Sequence, residues 1–193
     1  MKVIIIGAGL SGLSTAIALR KYINNGTSSV ELEIKVYEKP IHSDLDSGNI
    51  ESDQAAYRRR TLGAGLGLQS NGLRVLDDLD KNLRHKVWAS GYPCNHFKWK
   101  TSGDVLLGRE YVDVLPISRP LLVDCLVEFL PRGIVEYKTV SRVVVREGQN
   151  PVLQFEDGSP DETADLVVGA DGVGSVVRRG IYGHDERYHS KYS

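Results

Sequence analysis

The sequence predicts an α/β fold, a parallel sheet covered by helices with an antiparallel β-meander excursion. Three observations carry that expectation. The chain opens on a β-branched run, Val3 to Ile6, as a strand buried on both faces of a parallel sheet requires. A helical segment and a second strand-like segment, "ELEIKVYEK", follow it and complete a βαβ unit. Near the other end, "ADLVVGAD" reads as a further apolar strand running into a turn.

The elements follow in order. The first strand closes on "GAGLSGL", and a helix is expected from about Leu10 to Tyr22, with Leu13, Ile17 and Arg20 at helical spacing. Its small residues, Gly12 and Ala16, suit close packing on the sheet. "NNGTSS" turns the chain into the second strand, marked by the alternation of Leu32, Ile34 and Val36. From Pro40 to Thr61 the chain is polar and aperiodic, long enough for a functional excursion or for disorder. "LGAGLGLQSNGLRVLDDLDKNL" then gives a glycine-rich segment, Ser70 as N-cap, and one helix carrying Leu73, Leu76, Leu79 and Leu83 on one side. "HFKWK", "VLLG" and "YVDVL" make the antiparallel excursion, a meander that leaves and rejoins the main sheet. Ser118 caps a helix to about Leu130, with Pro120 in its first turn. Three strands, "VEYKTVSRVVVRE", "VLQFED" and "ADLVVGAD", finish the chain, which reads as one α/β domain without internal repeats.

Composition narrows the function. The 193 residues are 41% hydrophobic and 25% charged with a formal net charge of -1, and this near-neutral balance argues against nucleic acid as a partner. The first strand begins at Lys2, which leaves no room ahead of it for a signal peptide, and the apolar runs are strand-sized, so no membrane segment is expected. Cys94 and Cys125 belong to no metal or redox spacing, which suits two quiet thiols in the cytoplasm. His184, His189, Asp185 and Glu186 match no metal-binding spacing either, and no metal is expected.

The chemistry concentrates in the turns after the strands. Gly7-Ala8-Gly9-Leu10-Ser11-Gly12 is a GxGxxG motif between a strand and a helix, the Rossmann-like arrangement for a dinucleotide. Gly7 allows the tight turn, Gly9 lets the backbone approach a pyrophosphate, and Gly12 permits close helix packing. The helix start offers free N–H groups to the phosphates. Glu38 ends the second strand, where a carboxylate accepts from ribose hydroxyls. It stands 26 residues after Gly12, beyond the usual ~20, because "NNGTSS" lengthens the connection. The motif alone does not separate FAD from NAD. A short-chain NAD dehydrogenase would carry Tyr four residues before Lys, and none of the nine tyrosines has that spacing.

"IIIGAGLSGLSTAIAL", "GAGLGLQSNGLRVLDDL", "ISRPLLVDCLVEFLP" and "DLVVGADGVGSVVRR", in that order, together resemble the FAD-dependent monooxygenases of the para-hydroxybenzoate and salicylate hydroxylase type. The resemblance implies a flavoprotein oxidoreductase that hydroxylates a small aromatic or polyketide-like substrate with NAD(P)H and O2. It assigns Gly7, Gly9 and Gly12 to the FAD pyrophosphate and Glu38 to the ribose, with Leu10 and Lys39 also counted among the cofactor-binding residues. Ala64 and Gly65 would bring backbone to the flavin end, and Arg119, at a helix start, would contact FAD. Asp171 and Gly172 match a pair associated with both FAD and the reduced nicotinamide cofactor. Arg178 and Arg179 either pair with Asp171 or face water, and Arg58 to Arg60 either reach the FAD phosphates or are solvated.

By the same resemblance, residues 1–193 form a single FAD-binding domain truncated relative to the family, whose second half covers the substrate and brings a Gly-Asp-Ala-Ala-His segment to FAD. Catalytic residues are therefore not assigned. Two further readings stand beside the monooxygenase: a non-catalytic FAD-binding remnant or truncated gene product, and an NAD-dependent dehydrogenase, which fits only the first 40 residues. Substrate identity and oligomeric state are not encoded in any motif, although sheet edges left uncovered would favour association.

Overall fold

A computed structural model describes residues 1–24, 31–40 and 65–183. The chain forms two compact units, Met1–His42 with Leu130–Ser193, and Ser43–Phe129.

The first unit is built on a four-stranded, wholly parallel sheet. Its strands are β1 (Lys2–Ile6), β2 (Glu33–Glu38), β6 (Val135–Tyr137) and β10 (Leu166–Gly169), in the order β10-β1-β2-β6. β1 is one of the two inner strands, and Val3, Ile4 and Ile5 are fully buried, which is why its sequence does not alternate. Ile4, Ile6 and Tyr37 share one face and pack with Val140, Val143, Leu153 and Phe155 of a second, antiparallel sheet. That sheet is β7 (Val140–Val144), β8 (Val152–Phe155) and β9 (Glu162–Thr163), in sequence order. The opposite face of the parallel sheet carries Val3, Ile5 and Val36, matched by the buried Leu13, Ala16 and Ile17 of α1 (Leu10–Asn24). The short helix α5 (Val176–Tyr182) follows β10 and lies so close to β7 that a Cβ on Gly180 would stand 2.4 Å from the Val143 carbonyl oxygen.

The stretch "VEYKTVSRVVVRE" is not one strand. It divides at Lys138–Thr139, with β6 joining the parallel sheet and β7 opening the antiparallel one.

The second unit holds another three-stranded antiparallel sheet, in the order β3-β5-β4, from β3 (Gly65–Gln69), β4 (Cys94–Lys100) and β5 (Leu106–Ser118). The meander expected to rejoin the main sheet thus forms a separate sheet, because its longest strand, β5, pairs with β4 on one side and with β3, from the glycine-rich segment, on the other. Helices α2 (Ser70–Leu79), α3 (Lys81–Ser90) and α4 (Arg119–Glu128) accompany it, with Leu76, Leu83, Val87, Leu115, Leu122 and Leu126 buried. Two sequence expectations fail here. Ser70 is the first helical residue rather than the cap, because β3 stays paired with β5 as far as Gln69, whose side chain makes no capping bond. The single helix over the four leucines is two: Asp80 is extended, and its carboxylate accepts from the N–H groups of Asn82 (2.7 Å) and Leu83 (3.3 Å) to start α3. Ser118 does cap α4 as expected, accepting from Leu121 N–H at 3.4 Å.

Among the described residues no helix is long and apolar enough to cross a membrane.

Candidate functional site

Strand order fixes where a ligand would sit. From β1 the chain runs outward through β2 to β6 and then returns to the other side of β1 as β10, so β1 and β10 bound a topological switch point at their carboxyl ends. Gly7 follows β1 and Ala170 follows β10, and the two turns are in contact.

The three motif glycines answer to different constraints. Gly7 has φ +106°, and a Cβ there would lie 2.3 Å from the Ala170 carbonyl oxygen, so the turn and its neighbour both demand glycine. A Cβ on Gly12 would lie 1.9 Å from the Gly7 carbonyl oxygen, which makes it the close-packing position of the helix against the loop. Gly9 differs: nothing stands within 4 Å of where its Cβ would be. Neither packing nor backbone conformation within the described residues explains it. The open space beside it is a cradle that a side chain would fill, and this is the position at which a pyrophosphate would need the backbone bare. α1 begins at Leu10 with no acidic residue in its first turn, and the first N–H groups of a helix have no partner within it.

Glu38, half-buried at the end of β2, reaches the same loop. Its Oε2 accepts from Ala8 N–H at 2.6 Å, while Gly7 N–H donates to the Tyr37 carbonyl at 2.7 Å. The carboxylate expected to meet a ribose therefore also fixes the glycine loop, and Oε1 is its second acceptor. Lys39 follows it, exposed. The Ala8 contact was not foreseen from sequence, since it depends on a strand-end carboxylate turning back onto the loop.

Asp171 and Gly172 stand on the other side of the switch point. Asp171 Oδ2 accepts from the N–H groups of Val176 (2.7 Å) and Val177 (3.4 Å), which ties the loop to the head of α5, while Ser175 accepts from Arg178 N–H at 3.0 Å. Gly172 has φ +77° and open space around its Cβ position, so the conformation, rather than crowding, requires glycine. Arg178 and Arg179 do not pair with Asp171. Their guanidinium groups donate to the carbonyls of Val173 and Gly174 respectively, five residues back along the chain.

The second unit brings Gly65 and Arg119 together: Gly65 pairs with Ser118 across β3 and β5, and Arg119 is the next residue, exposed at the start of α4. Beside this pair lies an open cleft of about 510 Å3, lined chiefly by Leu66, Tyr92, Phe97, Val114, Pro116 and Ile117. Its lining is mainly apolar, and it is a feature that no short motif announces, because it exists only once the glycine-rich segment pairs as a strand. Ala64, the arginines Arg58 to Arg60, and His184, Asp185, Glu186 and His189 lie outside the described residues.

Several known proteins are similar to this chain in sequence or in fold. A 3-amino-4-hydroxybenzoate 2-monooxygenase of Streptomyces cremeus is 30% identical over 203 residues, a match that takes in 97% of this chain and 44% of the relative. A salicylate hydroxylase of Pseudomonas putida is 26% identical over 185 residues, covering 92% of this chain and 37% of the relative. Among solved structures, Klebsiella pneumoniae HpxO in complex with FAD and uric acid matches with a TM-score of 0.67 at 22% identity, over 93% of this chain and 41% of that one. At that identity the likeness is one of fold. No family model matches the chain. The chain spans 44% or less of the length of these curated relatives, and over that share it is related to the FAD-dependent monooxygenases of the salicylate hydroxylase type.

Proposed function

We propose that this chain binds FAD and forms the FAD-binding part of a flavin-dependent monooxygenase acting in the cytoplasm on a small aromatic or polyketide-like molecule. The observation that carries the reading is the unexplained glycine. Gly7 and Gly12 are required by their own neighbours, whereas Gly9 stands bare before open space at the head of α1. A diphosphate laid there would receive helix N–H groups and dipole without meeting a side chain.

In this reading Gly7, Gly9, Leu10 and Gly12 shape the pyrophosphate site, Glu38 accepts from the ribose through Oε1 while its Oε2 holds Ala8, and Lys39 flanks it. Asp171 keeps the second turn tied to α5, so that Gly172 presents backbone rather than side chain. In the second unit Gly65 offers backbone to the flavin end, a role that Ala64 would share, and Arg119 offers a guanidinium to the cofactor, while the apolar cleft lined in part by Gly65 suits a planar aromatic surface. When bound, the flavin supplies the redox chemistry, with NAD(P)H as reductant and O2 as the source of the transferred oxygen. The residues of this chain bind and orient; no general base is assigned among them.

Because the relatives are more than twice as long, a second reading has its own support: residues 1–193 act as a single FAD-binding module without turnover of their own. The deciding experiment is the visible spectrum of the purified chain after incubation with excess FAD and desalting, with Glu38→Ala and Arg119→Ala alongside. A flavin spectrum retained by the parent chain and weakened in both variants is expected. If the parent chain retains none, FAD binding by this chain is refuted. NAD(P)H oxidation coupled to a hydroxylated product would favour the monooxygenase over the module without turnover.

A further inference from the structure

The first unit carries a second cavity at the end of the parallel sheet opposite the glycine loop. It has a volume of about 350 Å3 and is lined by Arg20, Leu32, Ile34, Arg132 and Ile134, among others. Arg20 lies in the second half of α1, Leu32 and Ile34 lie at the start of β2, and Arg132 and Ile134 precede β6. All of these positions are at the amino ends of the strands. Arg20 is ten residues beyond Leu10, which at 1.5 Å per residue places it about 15 Å along the helix from the proposed phosphate site.

Two arginines, Arg20 and Arg132, line this cavity, and no acidic residue does among the described residues. Arg20 is half-buried and Arg132 exposed, and among the described residues neither is recorded in an ion pair with a carboxylate. Two cations around one small space repel each other, and an oxyanion between them would reverse the sign of that interaction and give both planar forks an acceptor. The remaining walls, Leu32, Ile34 and Ile134, are apolar and would take a compact hydrocarbon body rather than a bare ion. The wall before β6 is fixed in advance: Ile134 N–H donates to the Pro131 carbonyl at 3.3 Å, Val36 N–H donates to the Ile134 carbonyl at 2.8 Å, and Gly133 turns the chain at φ +81°.

We propose that this cavity binds a small organic oxyanion, a carboxylate or phosphate on a compact apolar body, independently of the FAD site. The proposal is tested by isothermal titration of the full chain with hexanoate, phenyl phosphate and inorganic phosphate, with Arg20→Met and Arg132→Met, which keep an apolar stem and remove the charge. Saturable binding of at least one organic anion is expected, tighter than that of inorganic phosphate and weakened at least tenfold in each variant. Arg132→Lys, which keeps the charge and loses the fork, should fall between the two and serves in place of any methionine variant that does not fold. Binding equal in parent and variants, or no binding tighter than that of inorganic phosphate, would overturn the proposal. The titration is read with and without FAD, so a chain that retains no flavin still tests this cavity on its own.

Discussion

At the scale of single residues, the glycine motif separates two demands that its sequence pattern merges. The spacing GxGxxG was legible at once, and so was the carboxylate at the end of the second strand. Which glycine serves the fold and which serves a ligand was not, because that depends on atoms of β10 and α1 that the spacing does not contain. The distinction makes a paired prediction. Gly12→Ala puts a Cβ where the Gly7 carbonyl oxygen is 1.9 Å away, and a backbone oxygen in a tight turn yields little. Overpacking of that kind costs about 1–3 kcal/mol, so urea unfolding should show a clear loss of stability. Gly9→Ala meets nothing within 4 Å, so its stability should stay within about 0.5 kcal/mol of the parent while FAD retention falls. Equal retention by Gly9→Ala and the parent would remove the case for a phosphate at that position. The contact between Glu38 and Ala8 adds a third outcome: Glu38→Gln keeps acceptor and shape but weakens the bond to Ala8 N–H, so it should retain more flavin than Glu38→Ala.

Elements were legible where apolar spacing changes at their borders and illegible where it does not. β1 and β2 announced themselves through β-branched residues, and α4 through Ser118, Pro120 and its leucines. The boundary at Asp80 did not, because Leu73, Leu76, Leu79 and Leu83 keep helical spacing straight through a residue that is extended. β3 was hidden for the opposite reason: Gly65 and Gly67 carry no strand preference of their own, and pairing with β5 imposes the conformation. Asp80 is thus a punctuation mark with measurable weight. Asp80→Ala removes the acceptor for Asn82 N–H and Leu83 N–H and should cost about 1 kcal/mol in chemical denaturation, while Asp80→Asn, which can still cap, should cost less. Neither variant should alter FAD retention, since the cap serves α3 alone. Asp171 should behave otherwise. Asp171→Ala frees the loop from Val176 N–H and so should lower both the melting temperature and flavin retention.

At the scale of the whole molecule, what sequence could not show is that the chain from Ser43 to Phe129 is a compact unit interrupting another. Periodicity is local, whereas the first unit is closed by pairs far apart in sequence. Lys2 pairs with Glu162 at 2.6 Å and Lys35 with the same carboxylate at 3.1 Å; Tyr37 O–H also donates to it. β1 and β2 are thereby pinned to β9, across the two sheets whose apolar faces form the core. Partial burial alone would raise the Glu162 pKa. The hydrogen bonds from Lys2, Tyr37 and Lys35 outweigh that effect and hold it down at about 2, against 4.5 for the free side chain. A carboxyl depressed in the folded state contributes stability that is fully present above its unfolded pKa and is lost as pH falls through the folded one. The window here is therefore between about pH 4.5 and pH 2. Allowing for solvent screening, the contribution is of order 1 kcal/mol. Urea denaturation of the parent chain and of Glu162→Gln at pH 7, 4 and 3 measures it. The parent should be the more stable at pH 7, and the gap should narrow as the pH approaches 2, because only the parent has a carboxylate there to protonate. A gap that stayed constant across that range would mean that the sheets are held by packing of Tyr37 on Phe155, whose rings meet edge to face at 5.1 Å, and that the charge on Glu162 adds nothing to it.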